Sequence, residues 1–206
     1  MLDLADHPLT YWTGPLGLPA FDQISDDQFA AVFEAAFAAH EAEIAAIAGN
    51  PDQPSIENTL AALELAGDAF GKVSAIFWLR AGAHTNPDIQ KLERDIAPKM
   101  SRHFSALFMN EALFARIDDL YARRESLDLD SETDRVLEKT WKRFVKAGAK
   151  LGAEEKQRLA AINERLASLG AQFGQNVLAD EAGWALFLDG GDDLAGLPPF
   201  LVSAMA

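Results

Sequence analysis

The chain has no cysteine among its 206 residues, so disulfides, thiolate zinc ribbons and cysteine nucleophiles are all excluded. Long apolar runs are missing too. Nothing approaches the roughly eighteen consecutive apolar residues of a membrane-spanning helix. The opening MLDLADHPLTYW has neither the basic nor the apolar stretch of a secretory leader. A cytoplasmic location without a membrane partner is expected. Basic residues are scarce, 18 Lys and Arg against 32 Asp and Glu, and the net charge of −14 repels a phosphate backbone; nucleic acid is not an expected partner. The phosphate-cradling G-x-x-x-x-G-K loop and the G-x-S-x-G nucleophile elbow do not occur.

What is present is helical periodicity in a chain 49% hydrophobic and 24% charged, enough for one large core or two small ones. The reading is an all-α fold, an array of long, mostly antiparallel amphipathic helices with one short strand. Residues 1–24 form an extended arm broken by Pro8, Gly14, Pro15, Gly17 and Pro19. A helical domain follows over 25–182. Its first helix is expected to start from a capping box of Ser25 and Gln28. Phe29, Val32, Phe33, Ala36, Phe37, His40, Ile44 and Ile47 then recur at helical spacing, and Gly49 and Pro51 end it.

A second tract, 55–83, carries Gly67, Gly71 and Gly82, which imply a local break or close helix approach. Asn86 with Pro87 starts a helix to about Phe108, with a bend or a junction of two helices expected at Pro98. Further helices are expected after Asn110, from Ser131 to about Ala149, and from Ala153, the last with Leu159, Ile162, Leu166, Leu169, Phe173 and Val177 on one face. The run 184–189, WALFLD, is short, apolar and bounded by Gly183 and Gly190, the pattern of a strand. Its partner is expected in another chain or past residue 206. Pro198 and Pro199 open a helix that runs for only a couple of turns, so 183–206 reads as the truncated start of a strand and a helix.

Candidate chemistry is sparse. The stretch AAHEAEI, residues 38–44, begins like the H-E-x-x-H of a zinc peptidase, in which two histidines one turn apart share a metal. Ile44 stands where the second imidazole would be, so His40 is read as a core-facing residue and Glu41 as solvent-facing. The four histidines, His7, His40, His84 and His103, include no pair at three or four residues' spacing. Ligands converging from separate helices remain the open route to a metal. Asp118 with Asp119 and Glu154 with Glu155 are read as solubilising surface. Lys139, Lys142, Arg143, Lys146 and Lys150 form a basic stripe, read as a solvated face opposite Val136, Trp141, Phe144 and Val145, with an acidic partner as the other possibility. The amides of QFGQNV, 172–177, are assigned to helix packing, with peptide orientation as the alternative. No catalytic or metal residue is assigned, and substrate-binding residues are left unknown.

The segments GLPAFDQI, FEAAFAAHEAEIAAIA, PSIENTLAALE, AGAHTN, LERDIAPKMSRH, LFARIDDLY, LAAINERLASLGAQFGQNVLADE and DLAGLPPFLVSA occur in an order and wording that carry a resemblance over essentially the whole chain. The chain resembles the N-terminal helical region of the thimet oligopeptidase family of zinc metallopeptidases, in the branch of dipeptidyl carboxypeptidase and oligopeptidase A. The resemblance implies an all-helical, two-lobed cytoplasmic peptidase that encloses short peptides in a channel and hydrolyses them with one zinc. That metal is held by H-E-x-x-H and a more distant Glu in the C-terminal half, so the chain itself is expected to bind no cofactor. It implies for this chain an inactive part that walls the channel, with its own C-terminal catalytic domain and short peptides as partners. The alternatives are a standalone helical module that binds peptide or protein, and a metal-dependent enzyme with an unrecognised site.

Overall fold

The computed structural model describes residues 2–188 and 191–205, and every regular element among them is helical. Eight α-helices follow in chain order: α1 Gln28–Ala48, α2 Ala62–Leu65, α3 Asp68–Ala83, α4 Pro87–Phe108, α5 Glu111–Arg123, α6 Ser131–Lys146, α7 Ala153–Gly183 and α8 Pro199–Met205. A single π-helical segment, Ile56–Ala61, leads into α2, and short 3₁₀ turns lie at Pro15–Gly17, Phe21–Gln23 and Arg124–Ser126. The chain divides into two compact units, Met1–Gln172 and Phe173–Ala206.

Local chemistry explains most of the boundaries. Asn86 accepts from the amides of Asp88 and Ile89, Asn110 from Leu113, and Asp130 from Glu132 and Thr133, so α4, α5 and α6 each begin on a side chain that satisfies otherwise orphaned donors. Ser55 and Asn58 form a reciprocal capping box in front of the π-helical segment. The box expected at Ser25 is only half made. The Ser25 amide donates to Gln28 Oε1 at 3.1 Å, but the Ser25 hydroxyl turns to the carboxylate of Asp27, and α1 begins two residues later than a Ser25 cap would place it. An ionised acceptor attracts that hydroxyl in preference to serving the helix amides. Pro98 lies inside the unbroken α4. Of the three glycines in 55–83, Gly67 makes the break: its φ of +79° separates α2 from α3, a conformation glycine adopts without a Cβ penalty.

Of the strand expected at 184–189, none is formed over the described residues 184–188. Trp184–Leu188 lack strand structure, and Trp184, Leu186 and Phe187 are exposed; Asp189 and Gly190 lie outside the described residues. An apolar run becomes a strand only when another backbone pairs with it, and no strand exists among the described residues.

In the first unit, the eight apolar-stripe positions expected on α1 are the eight that are buried. Phe29, Phe33 and Phe37 meet Phe70 and Phe77 of α3 and Ile89 and Ile96 of α4, and Leu9 and Ile24 of the N-terminal arm complete that cluster. Phe33 and Phe77 are edge to face at 5.3 Å, and each fully buried ring contributes about 1.5–3 kcal/mol. A second cluster joins Ile44 and Ile47 to Leu107, Leu113, Ile117 and Phe144, so α1 serves both cores along its length. Leu60, Leu120 and Leu137 make a third.

The loop after α1 is held by α5. Arg116, 7% exposed, donates to the carbonyls of Asn50 (2.7 Å) and Asp52 (3.0 Å), to Asn58 Oδ1 (2.8 Å) and to Thr59 Oγ1 (3.2 Å). Arg123 adds a bond to the Pro54 carbonyl at 2.9 Å. The second unit holds the end of α7, a turned segment around Leu194–Leu197 with Gly196 at φ +87°, and α8.

Candidate functional site

Two helices bring together what the sequence separates by 63 positions. His40 follows Phe33 by seven residues on the buried stripe of α1, and His103 follows Ile96 by seven on that of α4. Their rings meet in the interior, with His103 Nε2 2.9 Å from His40 Nδ1. Phe37, Phe70 and Phe104 surround the pair at centroid distances of 5.1 to 5.7 Å. Gly67 covers His40: a methyl on its Cα would come within 2.9 Å of the His40 ring. The Gly67 amide donates to Glu43 Oε2 at 2.6 Å, which ties the α2–α3 junction back to α1.

On the far side of His103, Nδ1 is buried, makes no hydrogen bond, and stands 3.6 Å from Glu41 Oε1. Two cavities flank the pair. One of about 120 Å³ is lined by Glu41, His103 and Asn110 among apolar neighbours, and the other, about 160 Å³, by His40, Glu64, Thr140, Arg143 and aromatic rings; Leu107 lines both. Burial lowers the pKa of both histidines from the usual 6.5. The His103 charge pushes His40 the same way, while Glu43 and Glu41 oppose the fall at His40 and Glu41 opposes it at His103.

This constellation does not fit a zinc site. The inner nitrogens are spent on each other, Ile44 is a buried core residue, and Glu41 faces His103 from a side chain 68% exposed. Among the described residues no group of three or more His, Cys, Asp or Glu is arranged to hold a metal ion. His7 accepts from the Leu9 amide at 3.2 Å, and burial lowers its pKa; His84 caps the end of α3. Neither shares a hydrogen bond or ring contact with the pair.

Three of the five residues of the basic stripe are engaged locally. Lys142 pairs with Glu138, Arg143 lies 4.6 Å over the Phe108 ring, and Lys150 lies 4.9 Å over Trp141 and 3.7 Å from Asp118. The adjacent carboxylates are also in use: Asp118 accepts from the Trp141 indole at 2.6 Å, Asp119 pairs with Arg123, and Glu155 accepts from the Gly152 amide at 3.0 Å. Glu154, Gln172 and Asn176 are exposed.

Beyond the half-buried Leu159, the amphipathic face read on α7 has little burial to match its pattern. Ala171 is the buried residue of this helix, whereas Leu166 is 60% and Phe173 70% exposed, and Ile162, Leu169 and Val177 are exposed with them. A shallow groove of about 460 Å³ beside Trp78, Met100 and Phe104 is floored by Ala97, Ala167 and Gly170.

No family model matches the chain. It is 38% identical over 185 residues to dipeptidyl carboxypeptidase of Escherichia coli and 37% identical over 185 residues to that of Salmonella typhimurium, in each case across 90% of this chain and 27% of the relative. Oligopeptidase A of Salmonella typhimurium is 24% identical over 196 residues, 93% of this chain and 29% of that protein. The chain therefore spans about a quarter of the length of the relatives it matches.

Proposed function

We infer that this chain, a relative of dipeptidyl carboxypeptidase and oligopeptidase A, is the noncatalytic helical part of a zinc-dependent peptidase of short peptides, and that it walls the channel in which they are held. The observation that carries the reading is the match across nine-tenths of this chain to about a quarter of each peptidase. The ligands of the zinc and the general base that works beside it belong, on this reading, to the remaining three-quarters, and the His40–Glu41–His103 constellation contributes nothing to them.

The exposed face of α7 supports the same reading. A monomeric surface seldom leaves a row such as Ile162, Leu166, Leu169 and Phe173 in water, and the rest of a peptidase is the occupant that the matched relatives supply. Residues that touch peptide are not assigned.

Two measurements on the purified 206-residue chain test the proposal. Fluorogenic short peptides should not be cleaved, with or without added zinc, and cleavage abolished by a chelator would overturn it. Light scattering should show self-association that rises with concentration and is relieved by Leu166→Glu with Phe173→Glu. A clean monomer at all concentrations would favour a standalone binding module instead.

A further inference from the structure

We propose that the His40–His103 contact is a proton-operated latch between α1 and α4, closed when the pair carries no extra proton or one, and opened by the second. The inference is independent of the peptidase reading, because it rests on how hydrogens distribute over four ring nitrogens.

The inner nitrogens, His40 Nδ1 and His103 Nε2, are 2.9 Å apart and share one hydrogen. Either ring can supply it, and the surroundings choose. If His103 donated from Nε2, its Nδ1 would turn a lone pair toward the Glu41 carboxylate 3.6 Å away. If His40 donates from Nδ1, His103 instead carries its hydrogen on Nδ1 and points it at the Glu41 carboxylate. The second arrangement removes the repulsion, so both histidines hold their hydrogen on Nδ1. His40 Nε2 is left as the pair's free basic nitrogen.

The first added proton goes to His40 Nε2 and leaves the inner hydrogen bond intact. Glu41 and Glu43 of α1 and Glu64 at the end of α2 face this charge favourably, and Arg143 of α6 opposes it. The other contacts, Phe70 of α3, Phe104 of α4 and the Asn110 amide, do not titrate. The second proton has only His103 Nε2 to occupy. There it sets N–H against N–H at 2.9 Å between two cations, and the rings must part. Because Leu107 lines the cavities on both sides, parting the rings joins these cavities and wets the Phe37, Phe70 and Phe104 cage. Burial lowers both histidine pKa values. The opened form therefore binds more protons than the closed one, and opening is favoured as pH falls below the ordinary 6.5 of a free histidine.

The test uses the 206-residue chain labelled with ¹⁵N-histidine. Long-range ¹H–¹⁵N spectra at pH 8 should show His40 and His103 both protonated on Nδ1; an inner hydrogen missing from both His40 Nδ1 and His103 Nε2 would overturn the latch, and this readout needs no variant. Hydrogen exchange on α1 around 37–44 and α4 around 100–107 should then report the opening. One proton changes an opening constant by at most about tenfold per pH unit and two by about a hundredfold. Just below pH 6.5, where the closed pair holds no extra proton and the opened form takes two, wild type should exceed tenfold per unit, whereas His103→Gln, whose amide oxygen still accepts from His40 Nδ1, should stay at or below it. Equal slopes in the two proteins would refute the proposal.

Discussion

Gly67 shows how much a single residue can fix. Its backbone is left-handed, its amide is bound by Glu43, and its Cα lies against the ring of His40. Gly67→Ala has to bear the αL penalty and a methyl 2.9 Å from an imidazole that Phe70 and His103 hold in place. The two costs together should lower stability by about 2–4 kcal/mol, measured by urea unfolding at pH 8. A loss under about 0.5 kcal/mol, the usual range of an innocuous surface change, would show that the ring moves freely. Of the three glycines in its tract, only Gly67 has a neighbour within 4 Å of the missing side chain; Gly71 and Gly82 face open space. Composition marked all three alike, since what distinguishes Gly67 is a contact with a residue 27 positions earlier.

The helices were legible wherever their own side chains decide them. Asn86 and Asn110 cap the helices that their spacing announces, and the α1 stripe is buried position for position. Where a neighbour decides, the local pattern misleads. The Ser25 hydroxyl was lost to Asp27, and the 184–188 run has no strand to pair with among the described residues. Spacings of three and four along one helix do not reveal the histidine pair, whose members lie on two helices. A signal did exist: His40 and His103 each sit seven residues past a buried apolar residue, which puts both on core stripes of helices that pack together. The hold of α5 on the loop after α1 was invisible for the same reason, since Arg116 finds its acceptors 57 to 66 residues away. Arg116→Met would remove four donor contacts and leave the Asn50 and Asp52 carbonyls without this partner. The expected loss is about 3–5 kcal/mol in chemical denaturation, the scale for breaking a buried charged network. A loss below about 1 kcal/mol would mean that the loop is held by its own prolines.

At the scale of the whole molecule, a well-buried interior coexists with a long helix whose apolar face is exposed. Phe29, Phe33 and Phe77 are sealed while Leu166 and Phe173 stand in solvent. Sequence periodicity reveals which face of a helix is apolar, but it does not reveal what covers it; on α7 the pattern was legible and the cover was not. The resemblance to peptidases was likewise carried by many segments in order rather than by a site, and the matched relatives are nearly four times as long as their shared region. The most direct test is to read the coding DNA beyond the codon for Ala206. The frame should continue for several hundred codons and encode H-E-x-x-H with a later glutamate. A stop codon directly after Ala206 would contradict the peptidase reading and leave a helical binding module in its place.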